Sequence, residues 1–592
     1  MGVEPKADAV YEVSWEVCNK VGGIYTVVSS KARSMMEQYG DNFLLVGPWF
    51  PAKTQGVFEE RPVPKELKGV CGQLAKEGIQ LHFGTWLVKG SPPTLLIDFS
   101  AYAKNANAIK GQLWDEYQLD TLGTDFNDFD EPLVFSYAAG KVIQALADQA
   151  GKKKAVAHCH EWLCGGTVLY LKKHGTVRTV FTTHATMLGR SLASEGTNIY
   201  EKVIDAEKEA RARPGGWPKY QVERICASQA NVFTTVSEIT GMEAKKLLGV
   251  RPPVLLFNGL DMEKFPTFEQ ASEDHAKLRE KIKSFLIPYF FPYYTMDLSN
   301  ALMYFIAGRP EFHTKGVDVY IQALAQLNQR MKKEGRKDPV IAFIFVPGNV
   351  KNVRPEILES KTLFDDLKDS VEGRHDKIQR RIIELIISQK EINKGSLFDE
   401  DSLNELKRKT LAFLRKGKPP LSTHELYDED QDPIMQACKQ VGLTNAKADP
   451  VKIIYYPIFL SGADGLLDTD YYETMQGSHL GVFPSYYEPW GYTPLEAAAL
   501  GVSSVTTDLS GFGRYLCKEC KQGPYPGVFV IPRLGKKDKQ VTKDLSGIMY
   551  RFRKFPKHER VENKQTAKRI AATADWKEFI ENYVKAHNLA LK

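Results

Sequence analysis

Apolar residues in this chain fall into short runs, each closed by Gly, Pro, Ser or Asn and separated from the next by stretches with helical spacing. Residues 10–18 alternate and then turn apolar, which predicts a first strand. Asn19-Lys20-Val21-Gly22-Gly23 follows, and 24–39 has the spacing of a helix. Strand-like runs recur at 42–46, 94–97, 155–158, 179–183, 231–236 and 253–257. A beaded βα order implies a parallel sheet with helices on both faces, and ligands then bind beyond the carboxyl ends of the strands. A second series occupies 302–307, 340–346, 452–456, 480–483, 502–506 and 527–531. The expected architecture is therefore α/β, with two Rossmann-like domains facing across a cleft.

The joint between the series falls in 260–300, where 265–287 reads as a connecting helix. We divide the chain at 1–265 and 266–572. Between about 350 and 449 long charged helical stretches such as 376–389 replace the βα beads, too much for a loop. They predict a helical insertion and a surface for self-association. The final segment, 573–592, is amphipathic and is expected to pack back on the first domain.

The stretch 479–513 carries the most chemistry. An apolar run opens it, then an aromatic loop with one acid, Tyr486-Tyr487-Glu488-Pro489-Trp490-Gly491-Tyr492. A helix start follows, with Thr493 as N-cap, Pro494 at the first position and Glu496 able to complete a capping box. A strand, a loop with a lone carboxylate and a helix N-terminus can hold a phosphate beside a reacting carbon.

Other polar residues collect at predicted strand ends: His158, His160 and Glu161; His184 and Arg190; Ser237 and Glu238; Asn258. Locally, His184 and Arg190 suit either catalysis or a cap and salt bridge. Lys20 with Gly22-Gly23 outlines a diphosphate cradle, though Gly-Gly between strand and helix also makes a plain tight turn. His158-x-His160 shows no third ligand, so no metal is expected.

Composition narrows the class. At 592 residues the chain exceeds one core. A net charge of +6 from 79 basic and 73 acidic residues is too slight to argue for nucleic acid. The opening MGVEPKADAV has acids and no apolar core, and no run spans a bilayer, so neither secretion nor a membrane is expected. Eight cysteines, several within apolar runs, fit reduced thiols of a cytoplasmic protein. Cys517-x-x-Cys520 has no second pair to make a zinc site.

Five motifs, in this order and spacing, resemble one family. They are Asn19-Lys20-Val21-Gly22-Gly23; His158-x-His160-Glu161-Trp162; Phe181-Thr-Thr-His184-Ala-Thr; Ala307-Gly-Arg309 with Lys315-Gly316; and Phe483-Pro-Ser-Tyr-Tyr-Glu488-Pro-Trp-Gly-Tyr-Thr-Pro. The chain is similar from about residue 9 onward to glycogen synthases of the eukaryotic, UDP-glucose-using type (glycosyltransferase family 3), which have the GT-B fold. The resemblance implies retaining transfer of glucose from UDP-glucose to the 4-hydroxyl of a glucan end, with no cofactor or metal. It assigns Lys20, Gly22 and Gly23 to the nucleotide and phosphates, Arg309 and Lys315 to the leaving diphosphate, and His184 and Arg190 to the sugar. His160, Glu161 and Asn258 join them as substrate contacts. Glu488, Trp490, Gly491, Tyr492 and Thr493 close the site, with Tyr471 stacked on uracil.

The family's paired glutamates are here Glu488 and Glu496. Eight helical residues span roughly 12 Å, far beyond the ~5–5.5 Å of a double-displacement pair. Glu488 is therefore read as the residue at the chemistry and Glu496 as mainly structural, which favours front-face displacement.

The resemblance also implies activation by glucose 6-phosphate at an arginine-rich helix. Of six family arginine positions only Arg560 and Arg569 remain Arg; the others are Lys557, His558, Lys564 and Thr566. His275 and His479 match family contacts, and Arg279 replaces a lysine. Lysine keeps the charge but loses the bidentate grip on phosphate, so a weakened response is expected. Glycogen, a glycogenin-like primer and a homotetramer are implied partners. The rival reading is a retaining GT-B enzyme using ADP-glucose or another acceptor. A nicotinamide dehydrogenase lacks its fuller G-x-G-x-x-G signature.

Overall fold

The computed structural model describes residues 3–592 apart from 337 and 518–521, so Cys520 of the CxxC lies outside it. Two sheets organise the chain. The first has nine strands, in the spatial order Phe58–Glu60, Gln80–Trp86, Pro93–Asp98, Phe43–Pro48, Ala9–Val13, Ala155–His160, Arg178–Thr183, Val232–Thr235, Val254–Leu255. From Pro93–Asp98 through Val254–Leu255 the strands run parallel, and the central ones are buried on both faces, which is why they read as largely apolar runs, interrupted by Glu12, His158 and His160.

Two strands of this sheet escaped the sequence pattern, as did the small antiparallel pair Val350–Val353 and His424–Leu426. Phe58–Glu60 and Gln80–Trp86 form an antiparallel edge beyond Pro93–Asp98. Their half-exposed, polar-interrupted sequences give no apolar run. The first strand also stops at Val13, short of the predicted 18. Val17 and Cys18 are apolar because the following loop is buried, with Cys18 in the left-handed region at φ 53°.

The second sheet has six strands, all parallel, in the order Val451–Tyr455, Val340–Phe345, Leu302–Ala307, Leu480–Val482, Ser503–Thr507, Val528–Ile531. Each lies within two residues of a predicted run. In both sheets the strand order reverses beside the first strand, at Ala9–Val13/Ala155–His160 and at Leu302–Ala307/Leu480–Val482. The crevices at those reversals are where such sheets bind ligands.

Helix Phe268–Phe290 follows the first sheet and begins with a capping box in which Thr267 and Gln270 exchange bonds. The insertion folds as Pro355–Glu372, His375–Ile387, Lys394–Leu397 and Glu400–Phe413. The last helix, Trp576–Ala590, buries Trp576, Tyr583 and His587 against helix Gly23–Tyr39 and the first sheet. Leu260 and Trp576 anchor it, through Leu260 N–H to Ala574 O at 2.9 Å and Trp576 N–H to Leu260 O at 3.0 Å. None of the described helices is long and apolar enough to cross a membrane.

Candidate active site

After strand Leu480–Val482 the chain leaves the sheet through Pro484 and Ser485. The N–H groups of Tyr486 and Tyr487 then both donate to Thr314 O, at 2.8 and 3.2 Å. That clamp sets two loops side by side. Gly316 makes it possible: it sits at φ 73°, and a Cβ there would strike the carbonyl of Pro484. Lys315 and Glu488 consequently meet, with Nζ to Oε2 at 2.5 Å and side chains 16% and 19% exposed.

Arg309 does not join them. Its side chain is 64% exposed and pairs with Glu311 at 3.1 Å. The expected trio is thus a Lys315–Glu488 pair with Arg309 waiting on an open loop, because Pro310 and Glu311 turn that loop outward.

The predicted capping box at Thr493 is also corrected. Helix Tyr492–Ala499 starts two residues earlier, from Gly491 at φ 106°, and no side chain caps it. A Cβ on Gly491 would run into Ser510 Oγ. Glu496 instead turns into the core and accepts from Tyr471 and Tyr472, each at 3.0 Å. Burial pushes its carboxyl up, and the two phenols oppose that. The Tyr471 hydroxyl is committed to Glu496, with its ring 5.2 Å from that of Tyr472. Trp490, expected to close the site, has its indole buried among Phe257, Phe512 and Phe579, with centroids at 5.6–6.0 Å. Its ring holds the loop; Tyr492 and Thr493 remain half-exposed at the helix start.

The first sheet contributes a buried polar array. His184 Nε2 lies 2.9 Å from His160 Nδ1, and His160 Nε2 lies 2.7 Å from Glu12, whose carboxylate pairs with Lys31 at 2.5 Å. Burial pushes Glu12 up, but the Lys31 ammonium and the His160 bond outweigh it and bring it down to about 2. Burial holds His160 below, and His184 well below, the usual imidazole range, so both are neutral. His160 therefore sits behind His184 with both nitrogens occupied, a supporting place rather than the expected contact with substrate. His158 is likewise committed, to Thr182 at 2.7 Å and His587 at 3.1 Å. Glu12, His158 and His160 come close enough to hold a cation, but both imidazoles have each nitrogen bonded and the Lys31 ammonium already sits on Glu12 Oε1, leaving Glu12 Oε2 as the unpartnered atom among the described residues.

Glu161 occupies φ 66°, ψ 167°, a region open essentially to glycine. The strain places its carboxylate on the N–H groups of His184 and Ala185, at 2.8 and 3.1 Å. It too supports the loop. Arg190, on helix Met187–Ser194, is exposed among Glu161, Glu311 and Glu243. Asn258 is buried with its Oδ1 unpartnered among the described residues. Ser237 caps helix Glu238–Leu247, and Glu238 reaches across to Arg514 at 3.4 Å.

Lys20, Gly22 and Gly23 form an exposed turn into helix Gly23–Tyr39. The cradle is already partly filled, since Glu16 accepts from the N–H of Gly22 at 2.7 Å and of Tyr25 at 2.8 Å. Sequence reasoning missed Glu12, Glu16, Lys31, Glu223 and Glu243. The available signal was a lone charge inside an apolar segment, as in Ala9–Val13, because a buried charge needs a partner.

A second cluster lies apart. His275, Arg279, His479, Lys557, Arg560 and Lys564 line a cavity of about 950 Å³. His275 Nδ1 meets Lys564 Nζ at 2.8 Å. Burial, Arg279 and Arg560 bring Lys564 down to about 7. Arg569 is excluded: it faces solvent on another side of helix Lys557–Ala572 and bonds Thr566.

The glycogen synthase family model matches residues 12–592. The liver glycogen [starch] synthase of Mus musculus is 34% identical over 586 residues, 98% of this chain and 83% of that protein. The glycogen [starch] synthase of Neurospora crassa is 36% identical over 597 residues, 100% and 84%. Among solved structures, the catalytic domain of starch synthase IV from Arabidopsis thaliana, bound to ADP and acarbose, aligns with a TM-score of 0.53 at 14% identity, covering 98% of this chain and 99% of that one. That likeness concerns the fold, which is GT-B. With a match running from the first strand to the last residue, the chain belongs to the glycogen synthase family.

Proposed function

We propose that this protein is a retaining glucosyltransferase that moves glucose from UDP-glucose to the 4-hydroxyl of an α-1,4-glucan end. The Lys315–Glu488 pair carries the reading, because it puts a cation and a carboxylate together at the strand-order reversal of the second sheet. Lys315 offsets charge on the departing diphosphate, and Arg309 swings in from its exposed loop. The Glu488 carboxylate stabilises the oxocarbenium-like sugar, and the phosphate oxygen takes the acceptor proton. His184 and Arg190 line the sugar from the other side. Glu496 is tied to two tyrosines and so does not stand ready as a nucleophile, which supports front-face displacement. Labelled UDP-glucose and ADP-glucose, each offered with glycogen, test the reading. UDP-glucose should be preferred; preference for ADP-glucose, or a different acceptor, would move the assignment to the rival enzyme.

The cationic cavity fits glucose 6-phosphate as an allosteric activator. Of the six family arginine positions, Lys557, Arg560 and Lys564 line the cavity, two of them as Lys, and Arg569 points away, so the response should be weak. Self-association, as a homotetramer, is assigned to the insertion. Helix His375–Ile387 buries none of its residues, and Ile383, Ile386 and Ile387 stand 51–77% exposed beside Leu411 at 72%. Light scattering of the intact protein against Ile386→Asp tests this. A cytoplasmic place and a glycogenin-like primer complete the proposal.

A further inference from the structure

Glu243 lies on helix Glu238–Leu247 of the first half, 2% exposed, and belongs to none of the motifs above. Its Oε1 accepts from three donors. Two come from Thr186, the backbone N–H at 3.0 Å and the hydroxyl. The third is the hydroxyl of Tyr487, at 3.0 Å, from the second half.

Each donor sits next to the proposed chemistry. Thr186 follows His184 by two residues and is the N-cap of helix Met187–Ser194, which carries Arg190. Tyr487 immediately precedes Glu488, and its N–H lies on Thr314 O, one residue before Lys315. One buried oxygen therefore links the loop holding His184 and Arg190 to the loop holding Lys315 and Glu488. Two further contacts between the halves near this point are longer: Thr240 to Pro489 O at 3.5 Å, and Arg514 to Glu238 at 3.4 Å.

We infer that Glu243 is a positioning residue for glucosyl transfer, acting through Tyr487 to set the distance between His184 and Glu488. The inference rests on the glucosyltransferase reading. Reaction requires the sugar to be held from both halves at once, and a displacement of about 1 Å between such groups costs up to ~10²-fold in rate. The nucleotide contacts stay with Lys315, which Glu243 does not touch. Loss of the bracket should thus appear in turnover and spare donor binding.

Tyr487→Phe isolates the link, because it removes one hydroxyl and leaves both Thr186 bonds. Glu243→Gln removes the charge common to all three, and the pair closes a double-mutant cycle. With UDP-glucose and glycogen, Tyr487→Phe should lower kcat about tenfold while donor KM and inhibition by UDP stay within about twofold. The double variant should be no slower than Glu243→Gln alone. A normal kcat for Tyr487→Phe, effects that multiply in the double variant, or loss of cooperative unfolding in Tyr487→Phe would each overturn the inference. Failure of the unmodified protein to transfer glucose at all would instead overturn the underlying function.

Discussion

Lys315 Nζ lies 2.5 Å from Glu488 Oε2 although 173 residues separate them. The carbonyl of Thr314, shared by the N–H groups of Tyr486 and Tyr487, brings them together. An ammonium and a carboxylate so placed, each less than one-fifth exposed, form an electrostatic unit with little of water's screening.

Removing either member should be costly to the reaction. Glu488→Gln should lower kcat at least ~10²-fold, in line with the ~2.7–4 kcal/mol lost when one preorganised electrostatic group is deleted. UDP should still bind, as read by product inhibition. Near-normal turnover in this variant would remove Glu488 from the chemistry.

Arg309 offers a cleaner separation of activity from folding. Its exposed side chain pairs with Glu311, and surface pairs are worth ~0–1 kcal/mol. Arg309→Ala should leave the unfolding temperature within a few degrees of the parent and lower turnover at least ~10²-fold. Equal losses of stability and rate would show that the loop is structural.

Glu496 should behave in the opposite way to Glu488. Glu496→Ala strands the hydroxyl of half-buried Tyr471, while Tyr472, 43% exposed, can turn to water; a buried group left unpaired costs ~1–3 kcal/mol. Denaturant unfolding should therefore show a clear drop in midpoint. A covalent glucosyl adduct trapped on Glu496 by a slow donor analogue would contradict its place in the core.

The cationic cavity predicts a pH signature for anion binding. Burial, Arg279 and Arg560 depress Lys564 to about 7, so above that pH its amine is neutral in the empty cavity. A phosphate monoester favours the ammonium, and binding above about pH 7 must take up a proton. Affinity for glucose 6-phosphate should thus fall as pH rises from 7 to 9, by calorimetry in buffers of different ionisation heat. Lys564→Ala should flatten that slope; an unchanged slope would place the proton elsewhere.

Much of this molecule was legible in its sequence. Interior strands are buried on both faces, so Leu302–Ala307 or Arg178–Thr183 could only be runs of apolar and β-branched residues. The glycines at Gly316 and Gly491, the lone acid in the 486–492 loop and the connecting helix near 265–287 were equally local, because backbone conformation depends on neighbours a few residues away. The antiparallel strands at one end of the first sheet, Phe58–Glu60 and Gln80–Trp86, were not legible, since half-exposed residues carry no apolar constraint. Nor could local pattern say which charge meets which. Glu496 looked like a capping partner for Thr493 until Tyr471 and Tyr472 arrived from another helix, and Arg309 looked like a partner of Glu488 until its loop turned to Glu311. His160 and Glu161 resembled site residues but stand behind it, and Glu243 was invisible. Such pairings join different elements, from 25 residues apart for Tyr471 and Glu496 to 244 for Glu243 and Tyr487, and only tertiary packing brings them within reach.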